Sequence, residues 1–323
     1  MWSSLFVLFV TLNLNLLFRS RIEADLRLGF YNLKMPKGRY VDTLTINWHI
    51  TEACNFQCKY CFAKWTRHDQ KEILHMPSKV GLLLEEISQL PSLLDFKVLR
   101  LNLVGGEIFL YPKPLLHILQ EAKTRNMHLS AITNGSLLNQ RLNELIATYF
   151  ETIGFSVDSL NATTNTAIGC GIKRKAMDIA QIKAHINSIR ACNPQIQLKI
   201  NTVVNSYNYG EYLGDFIQSV QPHKWKIFKM PPIIDRSLAI DDKEFQAFLD
   251  RHQQFASIIS SENNDEMTHS YLMLDPFGRF FQNRKEQEGY IYSAPIIETG
   301  IQKTLKQIPF SLEKFSQRYL STQ

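Results

Sequence analysis

TLTINWHITEACNFQCKYC, residues 43–61, runs from a strand-like segment straight into a loop carrying three thiols. From residue 43 onward, apolar strand-like runs alternate with amphipathic helix-like stretches. Strands are expected at 43–50, 97–104, 128–133, 152–157, 195–204 and 224–230, and helices at 77–90, 112–125, 138–149, 177–191 and 210–220. Pro77 and Pro112 stand near helix starts, where a missing N–H is harmless. The pairs Gly105-Gly106 and Asn134-Gly135 punctuate strand ends. Repeated strand–helix units indicate an α/β fold with a parallel sheet, which right-handed crossovers curl into a partial or full barrel. Such folds carry their chemistry at the C-terminal ends of the strands, and there the three thiols fall. Beyond about residue 240 the rhythm changes: 241–255 reads as a helix, 261–268 as a polar loop and 271–281 as a hairpin around Pro276–Gly278.

Cys54, Cys58 and Cys61 are spaced C-x3-C-x2-C, while Cys170 and Cys192 are dispersed and read as simple buried or half-buried thiols. A cluster of three thiols in a chain of 323 residues points to metal ligation in a reducing compartment rather than to a disulfide framework. Three thiolates on one loop can hold three irons of a cubane and leave the fourth open. The competing reading is a zinc-stabilised binding module, which needs a fourth ligand such as His49 or His68.

The composition is that of a soluble globular protein, 45% hydrophobic and 20% charged. The net charge of +6 is spread along the chain with no long basic run, which suits an anionic small molecule as well as nucleic acid. Residues 5–18 are apolar but short for a membrane span, which wants about 20 residues. No basic residue precedes them, and Arg19 and Arg21 follow, which favours the cytosolic side. Residues 1–34 are therefore read as a hydrophobic leader, as a weak anchor, or as a segment foreign to the native chain.

C-x3-C-x-aromatic-C after the first strand, with Tyr60 at the aromatic position, resembles the signature of the radical S-adenosylmethionine (radical SAM) superfamily. A closer resemblance, over roughly 42–285, is to the viperin family and its prokaryotic members. It rests on Asn47–Thr51, on Leu101–Val104 leading into Gly105-Gly106-Glu107, on Leu198–Asn205 and on Lys224–Phe228. The resemblance implies a partial (βα)6 barrel over 35–240 and a C-terminal extension over 241–323 that covers the active site. It implies a 4Fe–4S cluster on Cys54, Cys58 and Cys61, and S-adenosylmethionine held by Tyr60, Gly105, Gly106, Glu107, Asn134 and Ser156. It further implies a nucleoside triphosphate beside that cofactor. Arg100, Lys199, Lys224 and Lys226 lie on strands or at their ends, where a cation is costly unless an anion meets it. With Asn47 and Asn201 they form the expected triphosphate site.

The family's reaction uses a 5′-deoxyadenosyl radical to take the ribose C4′ hydrogen. Loss of the 3′ hydroxyl, with one electron and one proton, then gives the 3′-deoxy-3′,4′-didehydro nucleotide, an antiviral chain terminator. The expected partners are CTP, UTP or GTP and a reductant such as flavodoxin or ferredoxin. Nucleic acid is not expected, because the cations lie at strand ends rather than in an exposed stripe. The expected protein is a cytoplasmic monomer, with residues 5–18 as a route to the membrane. A radical SAM enzyme acting on a peptide or cofactor precursor is the alternative, against which stands the absence of any Cys after Cys192. The chain departs from the family at Cys170, where an Arg is common and Lys173 or Arg174 is the nearest substitute. It departs again at Phe277, where animal members carry a tyrosine.

Overall fold

The computed structural model describes residues 41–63, 70–173, 175–230, 236–284 and 289–320. The leader 1–34, its apolar segment 5–18, His68 and Arg174 lie outside them. Among the described residues no helix is long and apolar enough to cross a membrane.

Val41–Gln323 forms one compact unit. Its strands are β1 (Thr43–His49), β2 (Val98–Val104), β3 (His128–Thr133), β4 (Thr152–Ser156), β5 (Gly171–Ile172), β6 (Lys175–Ala176), β7 (Gln197–Val204), β8 (Lys224–Lys229), β9 (Ile259–Glu262), β10 (Leu272–Leu274), β11 (Arg279–Asn283) and β12 (Tyr290–Pro295). Ten of them form one sheet in the order β12-β11-β10-β1-β2-β3-β4-β7-β8-β9. From β10 to β9 every neighbour is parallel, and β11 and β12 add antiparallel strands at one edge. The order is linear, so the sheet is an open, partial barrel.

The intervening helices are α1 (Pro77–Ser88), α2 (Pro112–Thr124), α3 (Gln140–Tyr149), α4 (Ala162–Ile168), α5 (Ile179–Cys192), α6 (Gly214–Val220), α7 (Asp242–Arg251) and α8 (Leu312–Leu320). Their starts are chemically marked. Pro77 and Pro112 occupy first-turn positions, and the side chains of Asn139, Asn161, Asp178 and Asp241 accept first-turn N–H bonds.

The six expected strands and five helices are all present. Three local differences matter. The 210–220 helix starts only at Gly214, because Asn205 and Asn208 hold the preceding turn, with Asn208 Oδ1 accepting the Asn205 N–H at 2.7 Å. The expected polar loop 261–268 is instead the end of β9 and a short helix, Asn264–Met267. Ile-Ser-Ser-Glu has no apolar run to announce it, and it is a strand because its backbone pairs with β8. Between β4 and β7 the chain also inserts α4 and the small β5–β6 hairpin.

Side chains alternate across each strand. Leu44, Ile46, Trp48, Leu99, Leu101, Leu103, Ile153, Phe155, Leu198, Ile200, Trp225 and Ile227 fill the core. The other face carries Asn47, Asn102, Ser130, Ser156, Lys199, Asn201, Lys224 and Lys226, matched side by side through the register. A polar barrel face of this kind is where a polar ligand can be held.

Candidate active site

The cysteine loop leaves β1 and is sewn to three other strand ends. The Ile50 N–H donates to the Val104 carbonyl at 2.9 Å, the Gly106 N–H to Thr51 at 2.7 Å and the Glu107 N–H to Ala53 at 2.9 Å. On the far side the Gln57 N–H donates to Gly169 at 3.1 Å and the Lys59 N–H to Ile168 at 3.0 Å. Cys54 is exposed, whereas Cys58 and Cys61 are half-buried.

The two glycines have a structural reason. Gly105 has φ +137°, and a Cβ on Gly106 would lie 2.0 Å from the Ala53 carbonyl oxygen. The close approach they permit is to the cysteine loop itself. Gly106→Ala is expected to push that loop away and destabilise the fold by about 1–3 kcal/mol, measurable as a lower Tm together with poorer iron uptake on reconstitution.

Glu107 is fully buried and accepts three bonds, from the Thr133 hydroxyl at 2.8 Å, the Asn134 N–H at 2.8 Å and the Phe109 N–H at 3.1 Å. Burial raises its pKa, and those donors oppose the shift. It thus ties the end of β2 to the end of β3. The Asn134 amide donates to Asn55 at 2.9 Å and lies 3.9 Å from Cys54 Sγ. Asn55 donates in turn to the Ser136 hydroxyl at 2.8 Å. Ser136 is part of this support, and the cap of α3 is Asn139. Tyr60 donates its hydroxyl to Asp158, a buried carboxyl whose other oxygen accepts the Val203 N–H at 2.7 Å. Burial pushes Asp158 up to about 6.

The loop's other flank is aromatic. Tyr290 donates to the Phe62 carbonyl, and Cys61 packs against Ala63, Met273, Phe277, Phe281 and Tyr290. His49 lies edge-on to Phe62 and Phe281 with ring centroids 5.7 and 5.2 Å away, and burial pushes its pKa down to about 3. Among the described residues no three Cys, His, Asp or Glu side chains converge on a single-ion site. The donor set suits an iron–sulfur cluster: three soft thiols share one loop, and the Phe56 N–H, 3.4 Å from Cys54 Sγ, with the Asn134 amide supplies the polar support that cluster sulfurs take.

On the polar face Asn102 donates to Asn47 at 2.7 Å and accepts from Ser130 at 2.8 Å, a ladder across β1, β2 and β3. Asn201 Oδ1 is buried with no hydrogen-bond partner among the described residues. Beside it stand the lysines. Lys226, 6% exposed, is ion-paired with Glu262 on β9 and donates to the Tyr271 hydroxyl at 2.7 Å. Tyr271 donates to Glu262 as well. Arg318 from α8 lies 3.4 Å from Glu262 and 3.5 Å above the Tyr271 ring. Lys199 and Lys224, paired side by side in the register, have no carboxylate within ion-pair distance among the described residues. Burial pushes Lys199 down to about 7, with repulsion from Lys226, Lys224 and Arg318 adding to the shift. Burial likewise pushes Lys226 down to about 8, against the pull of Glu262.

Four cations thus share one carboxylate, an excess that favours a polyanion. Ser156 sits beside Asn201. Arg100 shares the polar face but is drawn to Glu151, 3.8 Å away, near the N-terminal end of β2. Glu262, Tyr271 and Arg318 are not legible as site residues from sequence, and neither are Asn102 and Ser130, although Asn102 falls within the LNLVGGE run.

Residues 48–205 match the model of the radical SAM superfamily. An S-adenosylmethionine-dependent nucleotide dehydratase of Psychrobacter lutiphocae is 47% identical over 85% of this chain and 94% of its own length. One from Pseudoalteromonas ulvae is 34% identical over 87% and 94%. Among solved structures, anSMEcpe with bound AdoMet superposes with a TM-score of 0.61 at 12% identity, over 87% of this chain and 84% of that one, which is a likeness of fold. The chain belongs to the radical SAM superfamily and, within it, to the viperin-like S-adenosylmethionine-dependent nucleotide dehydratases.

Proposed function

We propose that this chain dehydrates a nucleoside triphosphate, CTP, UTP or GTP, to its 3′-deoxy-3′,4′-didehydro analogue, an antiviral chain terminator. Cys54, Cys58 and Cys61 hold the cluster, with S-adenosylmethionine beside Tyr60, Gly105, Gly106, Glu107, Asn134 and Ser156. The triphosphate lies along Lys199, Lys224 and Lys226, and Asn47 and Asn201 complete its site. When bound, the cluster and S-adenosylmethionine supply a 5′-deoxyadenosyl radical, the oxidant for the C4′ hydrogen.

The observation that carries this reading is the shared face. An excess of buried and half-buried cations and the Asn47–Asn102–Ser130 ladder stand on the same side of a sheet whose first strand leads into the thiols. The chain's own contribution is positioning. Cations fix the phosphates, amides and hydroxyls meet the sugar, and near-attack geometry at C4′ follows from holding both ends. The C-terminal hairpin β11–β12, through Tyr290 and Phe281, packs on the Cys61 flank of the cysteine loop and shields that side. Electrons come from a small carrier such as flavodoxin or ferredoxin.

The test is anaerobic reconstitution with S-adenosylmethionine, dithionite and each nucleoside triphosphate in turn. One of the three is expected to raise 5′-deoxyadenosine well above the nucleotide-free background. Equal background yields with all of them end the nucleotide assignment.

A further inference from the structure

Cys170 occupies a place that its isolation in the sequence does not foretell. It follows α4 at the turn into β5, is 3% exposed, and is fixed by its N–H to Asn165 at 2.8 Å and its carbonyl to the Met177 N–H at 3.1 Å. The turn that carries it is pressed on the cysteine loop. Gly169, φ +84°, would place a Cβ 2.1 Å from the Gln57 carbonyl oxygen, and both Ile168 and Gly169 accept N–H bonds from that loop. The result is a Cys170 Sγ only 3.4 Å from Cys58 Sγ.

Three acceptors surround the Cys170 thiol. Asp158 Oδ2 takes the Tyr60 hydroxyl and can also accept from the Cys170 thiol, but at 3.7 Å it is the farthest of the three. The Tyr60 oxygen, at 3.2 Å, is neutral and donates its own proton to Asp158. Cys58, once a metal ligand, is an anionic sulfur with no proton to give, and at 3.4 Å it is the nearest charged acceptor of the Cys170 thiol. The direction is therefore fixed, with Cys170 as donor.

We infer that Cys170 donates an S–H···S hydrogen bond to the Cys58 sulfur and thereby raises the reduction potential of the cluster. The inference rests on the proposed assignment of Cys58 as a cluster ligand. Reduction adds negative charge that the ligand sulfurs share, so a donor aimed at one of them favours the reduced form. Cys170 is in this sense a positioning residue that acts through Cys58.

The experiment is a redox titration of the anaerobically reconstituted protein, followed by electron paramagnetic resonance, with Cys170→Ala and Cys170→Ser beside the parent. Cys170→Ala is expected to make one-electron reduction about tenfold less favourable, a midpoint about 59 mV more negative. Cys170→Ser keeps a donor and stays within about twofold of the parent. Beside the exchangeable Phe56 and Asn134 protons near Cys54, the reduced parent shows one more coupled to the cluster, removed by D2O and missing in Cys170→Ala. An unchanged midpoint in Cys170→Ala, a Cys170→Ser midpoint as negative as that of Cys170→Ala, or the same set of coupled protons in parent and Cys170→Ala overturns the inference. If the parent itself assembles no iron–sulfur cluster, the assignment of Cys58 falls and the inference with it.

Discussion

Cys54→Ala will purify without iron after anaerobic reconstitution, will lack the broad absorbance near 400 nm, and will leave S-adenosylmethionine intact under dithionite. Its fold will survive. Cys54 is exposed, and its sulfur meets the Phe56 N–H at 3.4 Å and the Asn134 amide at 3.9 Å. Substitutions at such sites usually shift stability by less than about 0.5 kcal/mol. The Tm of the cluster-free variant should thus match that of the cluster-free parent. A cubane that needs three protein thiolates to leave one iron open has only two left, and a vacant corner on a cluster that cannot assemble does no chemistry. Cys192→Ala is the matched control, because Cys192 is also exposed but stands at the end of α5, away from the loop. If Cys54→Ala retains iron and cleaves S-adenosylmethionine at the parental rate, the three-thiol assignment is wrong. Cys192→Ala should behave as the parent in every assay.

The cysteine loop was readable because its information is local. Three thiols within eight positions need no tertiary contact to be recognised, and the strand before them is marked by its apolar residues. The lysines were readable for a different reason, since a cation in the middle of a strand contradicts its surroundings. What the sequence hides is whatever depends on distant pairing. Glu262 belongs to a strand with no apolar signature, made only by bonding to β8. Arg318 reaches the lysines because Phe315 anchors α8 against Phe96 and Phe310, with ring centroids 5.6 and 5.8 Å apart. At Gly106 a glycine signals close approach without naming the partner, and the Ala53 carbonyl of the cysteine loop is one such partner. Arg100 looked like the other cations, but Glu151, one residue before β4, draws it to the other end of the face.

Lys226→Met will raise the nucleotide KM by about 10- to 100-fold, the loss of one charge-assisted hydrogen bond of roughly 1.5–3 kcal/mol. The KM for S-adenosylmethionine will move little. The same change also breaks a buried ion pair with Glu262, so a loss of stability of about 3 kcal/mol is expected. Adding Glu262→Gln removes the stranded carboxylate and should restore most of that stability without restoring nucleotide affinity. This separates the two roles of Lys226. If the double variant recovers both, Lys226 serves the fold alone. The pH dependence follows from the same groups. Without nucleotide, Lys199 titrates near 7 and Lys226 near 8, and a bound polyanion raises both. Binding therefore takes up protons above pH 7, and affinity falls as pH rises, by up to about tenfold per unit for each linked proton. The nucleotide-free fold has the opposite slope. Unfolded lysines stay protonated to about pH 10.4, so the unfolded chain holds more protons than the fold between the lowered folded values and that limit, and stability rises with pH across this window. Calorimetry at pH 8 in two buffers of different ionisation enthalpy should show net proton uptake on nucleotide binding. Its absence would mean that the triphosphate does not meet Lys199 and Lys226.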